Sequence, residues 1–133
     1  MNAPSEDIKD ILEESDNATG LVYATDLFIS QMPAEPDKCV CVFDTGGFDT
    51  VPTNEIIERP TIMIHVRGDK QEYLAAYDLA KVIKDVLNGL HNETWDSTRY
   101  IGIWIVGDIN PIGYDDNNRP LFSINFRIDR TGT

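Results

Sequence analysis

Apolar and polar residues alternate most regularly from Thr61 to Arg67, where Ile62, Ile64 and Val66 fall on one side and Thr61, Met63, His65 and Arg67 on the other. That period of two predicts a strand with one covered face. The rhythm returns from Leu121 to Ile128, with Phe122, Ile124, Phe126 and Ile128 inward and Ser123, Asn125 and Arg127 outward. Between Arg99 and Val106, Ile101, Ile103 and Ile105 share one face while Trp104 and Val106 load the other, so both faces carry bulk. Cys39 to Phe43 is continuously apolar, as in a strand covered on both faces or packed into an interface. Asp26 to Gln31 predicts a short strand stopped by Pro33, and Leu21 to Ala24 fits either state.

The period changes twice. Ile8, Ile11 and Leu12 recur at helical spacing after Ser5, a residue suited to capping, with Glu6 and Asp7 in the first turn, and this helix is expected to end near Asp16 or Asn17. From about Lys70 to Leu90, after Asp69 as cap, Tyr73, Ala76, Tyr77, Ala80, Ile83, Leu87 and Leu90 form one apolar stripe, expected to pack on a sheet. Its two tyrosines read as packing residues, with no base or metal cluster beside them. The elements between are read as loops: Pro33 to Asp37; the glycine turn Asp44-Thr45-Gly46-Gly47 and the polar stretch through Asn54; and Gly107 to Pro120, too long for a tight hairpin. A protruding loop of that length is costly to order without a partner, so Asp108 to Arg119 is expected to be an interaction loop whose tip the fold can spare.

These elements predict an α+β fold: a mainly antiparallel sheet of about four to five strands packed against one long helix and an N-terminal helix. At 133 residues and 15.0 kDa, with 41% apolar residues and no repeat or composition shift, residues 1–133 read as a single domain. No apolar run approaches a membrane span, and the N-terminus lacks the order of a signal peptide, so a soluble protein made inside the cell is expected.

Charge narrows the function. Eleven basic residues against 23 acidic give a net charge of -12, which repels phosphate backbones and gives nucleic-acid binding little support; the excess carboxylates read as keeping a small protein soluble or, more sharply, as lining a passage through which DNA slides. Cys39 and Cys41 sit two apart on one strand face, too strained for a disulfide, and the two histidines, His65 and His91, lack metal-ligand spacing; buried reduced thiols are expected. Gly46-Gly47 has no Gly-Lys-Ser or Gly-x-Gly-x-x-Gly context, and Asp115-Asp116-Asn117-Asn118 lacks the order of a calcium loop. With no nucleophile elbow, zinc signature or P-loop, no catalytic, cofactor or metal residues are assigned, and His65 reads as a sheet-face or interface histidine.

Three stretches carry a resemblance: Phe43-Asp44-Thr45-Gly46-Gly47 with Pro52; Arg59-Pro60, then Ile62 to Gly68, then Tyr73, Ala76, Ala80, Ile83 and Leu87; and Pro111, Gly113, Asp115, Asn117, Arg119 and Pro120 leading into Ser123 to Arg127. In order and spacing, from about Leu27 to Ile128, they resemble the minor capsid and tail terminator proteins of tailed bacteriophages. The resemblance implies a structural virion protein, not an enzyme, forming a homo-oligomeric ring, usually a hexamer. Such a ring caps the tail tube and joins it to the head connector, with DNA passing through its lumen. A head-completion or connector adaptor protein of the phage neck is the alternative.

On that reading the interaction loop is Asp108, Pro111, Gly113, Tyr114, Asp115, Asp116, Asn117 and Arg119. Candidate subunit-interface residues are His65, Arg67, Trp104, Asn125 and Arg127, with solvated side chains an equal reading for Asn125 and Arg127. Candidate acids facing the lumen are Asp44, Asp49, Asp115 and Asp116. Tail tube protein and connector are the implied partners, with no cofactor, no membrane and no specific nucleic acid.

Overall fold

The computed structural model describes residues 1–52 and 56–132. The elements run α1 (Pro4–Glu13), a 3-10 turn (Ser15–Asn17), β1 (Leu27–Ile29), β2 (Cys39–Pro52), β3 (Ile56–Arg67), α2 (Tyr73–Leu87), β4 (His91–Trp95), β5 (Thr98–Tyr114) and β6 (Pro120–Gly132). All six strands form one sheet in the order β1-β2-β3-β6-β5-β4. Every pairing is antiparallel except β1 with β2, which is parallel.

This corrects the expected architecture. The sheet has six strands rather than four or five and is mixed, and the helices are short, 10 and 15 residues, instead of one long helix dominating a smaller sheet. The missing strand length lay in stretches read as loops. β2 runs on through Gly46-Gly47 to Pro52 and β5 through Gly107 to Tyr114, each with breaks in register where the ladder absorbs extra residues. Gly47 shows why a glycine belongs inside a strand here: its φ is +149°, and a Cβ would lie 2.5 Å from the Arg59 carbonyl oxygen. The end of the expected 44–54 loop, including Asn54, lies outside the described residues.

One sheet face is the core. Val40, Val42, Ile62, Ile64, Val66, Phe122, Ile124, Phe126 and Ile128 are fully buried there, with Ile8, Ile11 and Leu12 of α1 and Ala80, Ile83 and Leu87 of α2 over them. The inward set expected for β6 is found. In β5 the alternation is broken between Tyr100 and Gly102, so Tyr100 and Ile103 are both fully buried and Ile101 is left half-buried, unlike the expected Ile101-Ile103-Ile105 row. The helix ends also move. Asp69 does not cap α2: its carbonyl accepts the Glu72 N–H at 3.0 Å in a turn, and Gln71 has a positive φ of 63°, so helix begins only at Tyr73. Likewise α1 stops at Glu13, and Ser5 lies inside its first turn rather than at its cap.

Candidate functional site

Among the described residues, no helix lies on the far, outer face of the sheet. Pairing registers set Thr61, Arg127 and Trp104 in one row across β3, β6 and β5, and Met63, Asn125 and Val106 in the next. His65 and Ser123 follow, with Cys41 beside His65 on β2. Four of the five candidate interface residues, His65, Trp104, Asn125 and Arg127, therefore share one surface. The Arg127 guanidinium sits 5.1 Å from the Trp104 ring centroid, and Trp104 lies along its own strand so closely that a Cβ at Gly102 would overlap the indole. A glycine two residues before a tryptophan on the same face gives the ring a floor. His65 meets Phe43 edge-on at 5.0 Å, and partial burial pushes its pKa below the ordinary histidine value.

Arg67, the fifth, is placed differently. It is 5% exposed and spends its guanidinium on the 33–37 loop: Nε donates to the Asp37 carbonyl at 2.8 Å, and one terminal nitrogen to the Pro33 and Pro36 carbonyls at 2.7 and 2.8 Å. Three backbone acceptors held by one planar fork is a structural role. At the next residue a Cβ on Gly68 would stand 2.6 Å from the Ala76 Cβ and 2.9 Å from Pro120, so α2 and the start of β6 close directly on the corner.

The expected 107–120 loop is mostly strand. Asn110, Pro111, Gly113 and Tyr114 pair with Ser123, Phe122, Leu121 and Pro120, leaving Asp115 to Arg119 as the hairpin turn. That turn is anchored. Arg119, 5% exposed, donates from Nε to Asp115 at 2.8 Å and from Nη1 to the Ala34 carbonyl at 2.7 Å and to Asp37 at 3.2 Å. Asp115 also accepts the backbone N–H groups of Asn117 and Arg119, both at 3.0 Å. Burial works to raise the Asp115 pKa, but these donors and the guanidinium outweigh it and hold the carboxyl below its ordinary value. Asp116, Asn117, Pro111, Gly113 and Tyr114 are exposed, and Asp108 pairs with Lys84 at 2.9 Å.

The candidate lumen acids divide in the same way. Asp44, Asp49 and Asp116 are exposed, Asp44 while accepting two bonds from Ser5, whereas Asp115 is half-buried and held by Arg119. Sequence reasoning missed a second network beneath β5: the Tyr100 hydroxyl donates to Asp7 at 2.5 Å, and Arg130 pairs with Glu58 at 2.9 Å and donates to the Asn2 carbonyl at 2.8 Å. Burial, then the Asp7 carboxylate, pushes the Tyr100 phenol pKa up. The signal for it was slight: alternation carries Arg130 inward in line with Ile128, past the expected end of the strand at that residue, and sets Tyr100 outward until the irregularity before Gly102 turns it in.

Metal chemistry has little footing. Asp7, Asp10 and Asp96 bring one oxygen each within 4.8 Å of one another, but Asp7 is taken by Tyr100 and Asn2, and Asp10 by Lys9 at 2.9 Å. Both cysteines are buried and unbridged as expected; burial pushes Cys39 up and Cys41 up to about 12, far from a reactive thiolate. Among the described residues no helix is long and apolar enough to cross a membrane.

A family model described as "Bacteriophage tail terminator protein" matches residues 16–131. No curated protein sequence matches the chain. Among solved structures, a chain of the "Virion of native gene transfer agent (GTA) particle" is similar in fold, with a TM-score of 0.71 and 16% identity, over 98% of this chain and 96% of that one.

Proposed function

The chain belongs to the bacteriophage tail terminator family and is a structural protein of the virion tail; from that premise we propose that residues 1–133 act as one domain that closes into a ring, most simply a hexamer, on the end of the tail tube. The ring stops tube growth, presents the surface that meets the head connector, and catalyses nothing. The observation that carries the ring is the outer sheet face. Trp104, Met63, Phe43 and His65 are only partly buried there and Val106 is 48% exposed, an aromatic and apolar stretch that a neighbouring subunit would cover. The neighbour in a gene transfer agent virion supports assembly within a particle.

The tube and connector contacts follow the exposed ends of the long hairpins: Phe48 and Ile56 on the β2–β3 arm, 59% and 61% exposed, and Tyr114, Asp116 and Asn117 on the β5–β6 arm. DNA passes through the lumen without specific binding, which the net charge of -12 favours by repulsion. Of the candidate acids, Asp44, Asp49 and Asp116 are exposed and available to line it. Mass photometry at micromolar protein, with and without tail tubes, tests the reading. A ring is expected outright or on the tubes, and a strictly monomeric species in both conditions contradicts it.

A further inference from the structure

The outer face lays two arginines on aromatic rings in a chain whose net charge is -12, with Asp129 on the same face two residues beyond Arg127. Arg127 lies over Trp104, and along the same face Arg59 lies over Phe48 at 5.9 Å. Among the described residues neither arginine forms an ion pair with a carboxylate. A guanidinium laid on a ring keeps N–H donors at its edge for a partner's carboxylate.

The complementary charge sits on the other side of the sheet. Residues 6–16 hold Glu6, Asp7, Asp10, Glu13, Glu14 and Asp16 against Lys9 alone. Asp7 is buried, Asp10 is paired with Lys9, Glu13 accepts the Tyr23 N–H at 2.6 Å, and half-buried Glu6 sits in the first turn of α1, where the dipole favours it, which leaves exposed Glu14 and Asp16. Their position is adverse. They follow the C-terminal end of α1, where the helix dipole favours cations, and the last turn of α1 contains no basic residue. A cation from outside the subunit would relieve them.

Resting on the ring reading above, we infer that the Arg127–Trp104 strip of one copy seats the acidic end of α1, Glu14 and Asp16, of the next copy. The strip is on the outer face and α1 on the inner face, so the contact is head-to-tail and each copy uses both surfaces once. Such a heterologous contact makes rings, whereas a self-complementary patch on one face would make two-fold dimers. Subunits of like net charge repel at long range, but that repulsion is screened over roughly 8 Å at physiological salt. Local pairing then decides the register.

The test uses Arg127→Glu in one variant and Glu14→Arg with Asp16→Arg in another, each assembled by the full chain with and without tail tubes. All three positions are exposed, so both should melt with wild type; Arg127→Gln replaces the reversal if it does not. Each variant alone should need about tenfold or more protein for half-assembly. An equal mixture should recover the wild-type value, because every junction is then again between opposite charges. Unchanged assembly of the single variants, or no recovery on mixing, overturns the inference while leaving the ring intact. Variants that ring normally yet fail to cap tubes would give the strip to the tube protein and overturn it too. A wild type that never assembles removes both readings.

Discussion

Asp44 caps the helix that Ser5 helps to open, from 39 residues farther along the chain: one carboxylate oxygen accepts the Ser5 N–H at 2.9 Å and the other its hydroxyl at 2.7 Å. A free N–H at a helix start needs an acceptor, and here the sheet supplies it, tying α1 to β2. Asp44→Ala should lower stability by about 1 kcal/mol, with Asp44→Asn losing less because its amide oxygen still accepts one bond. Urea unfolding of the two variants checks the order. An alanine variant as stable as wild type would mean the contact carries no net energy.

Arg119 joins the hairpin turn to the 33–37 loop, and Arg67 holds that same loop from the end of β3. Removing one partner of a mostly buried charged network leaves the rest unpaired, so Arg119→Ala should cost about 2–4 kcal/mol. Arg119→Lys should recover little, since one ammonium cannot reproduce the planar fork toward Asp115 and the Ala34 carbonyl. Deleting 114–118 removes Asp115 and should lower the melting temperature by several degrees, against the sequence expectation that the fold can spare this tip. A deletion variant that melts with wild type would restore that expectation.

The limits of that expectation are physical. Alternation located Ile62, Ile64 and Val66 and the whole inward row of β6, because each faces helices on one side and the pattern has no competitor. It failed where the ladder absorbs an irregularity. Gly46-Gly47 read as a turn because glycine permits one, and Gly107 to Pro120 as a loop because of its length, yet the strands run on with shifted register. Of the candidate site, His65, Trp104, Asn125 and Arg127 were legible as outward positions of strands. The burial of Arg67 and Arg119 was not, since their acceptors are mainly carbonyls of a loop far away in sequence, which no local pattern encodes.

Acid should weaken the fold at two stages. Asp115 has its pKa depressed in the folded chain, so its stabilisation is present above the unfolded carboxyl value of roughly 4 and is lost as pH falls through the folded value. His65 is also depressed, by burial; the unfolded chain takes up its proton first, and stability declines as pH drops below roughly 6.5 toward the folded value. Chemical denaturation from pH 8 to 3 should show Asp115→Asn flattening the slope below about pH 4 and His65→Gln flattening it just below about pH 6.5. Parallel profiles for wild type and variants would show that neither group is linked to folding.

Electron microscopy of tail tubes mixed with the purified protein looks directly at the ring on the tube. A ring of extra density, one subunit thick, is expected at the head-proximal end of the tubes, together with arrest of further tube growth. Bare tube ends and undiminished elongation at saturating protein would contradict it.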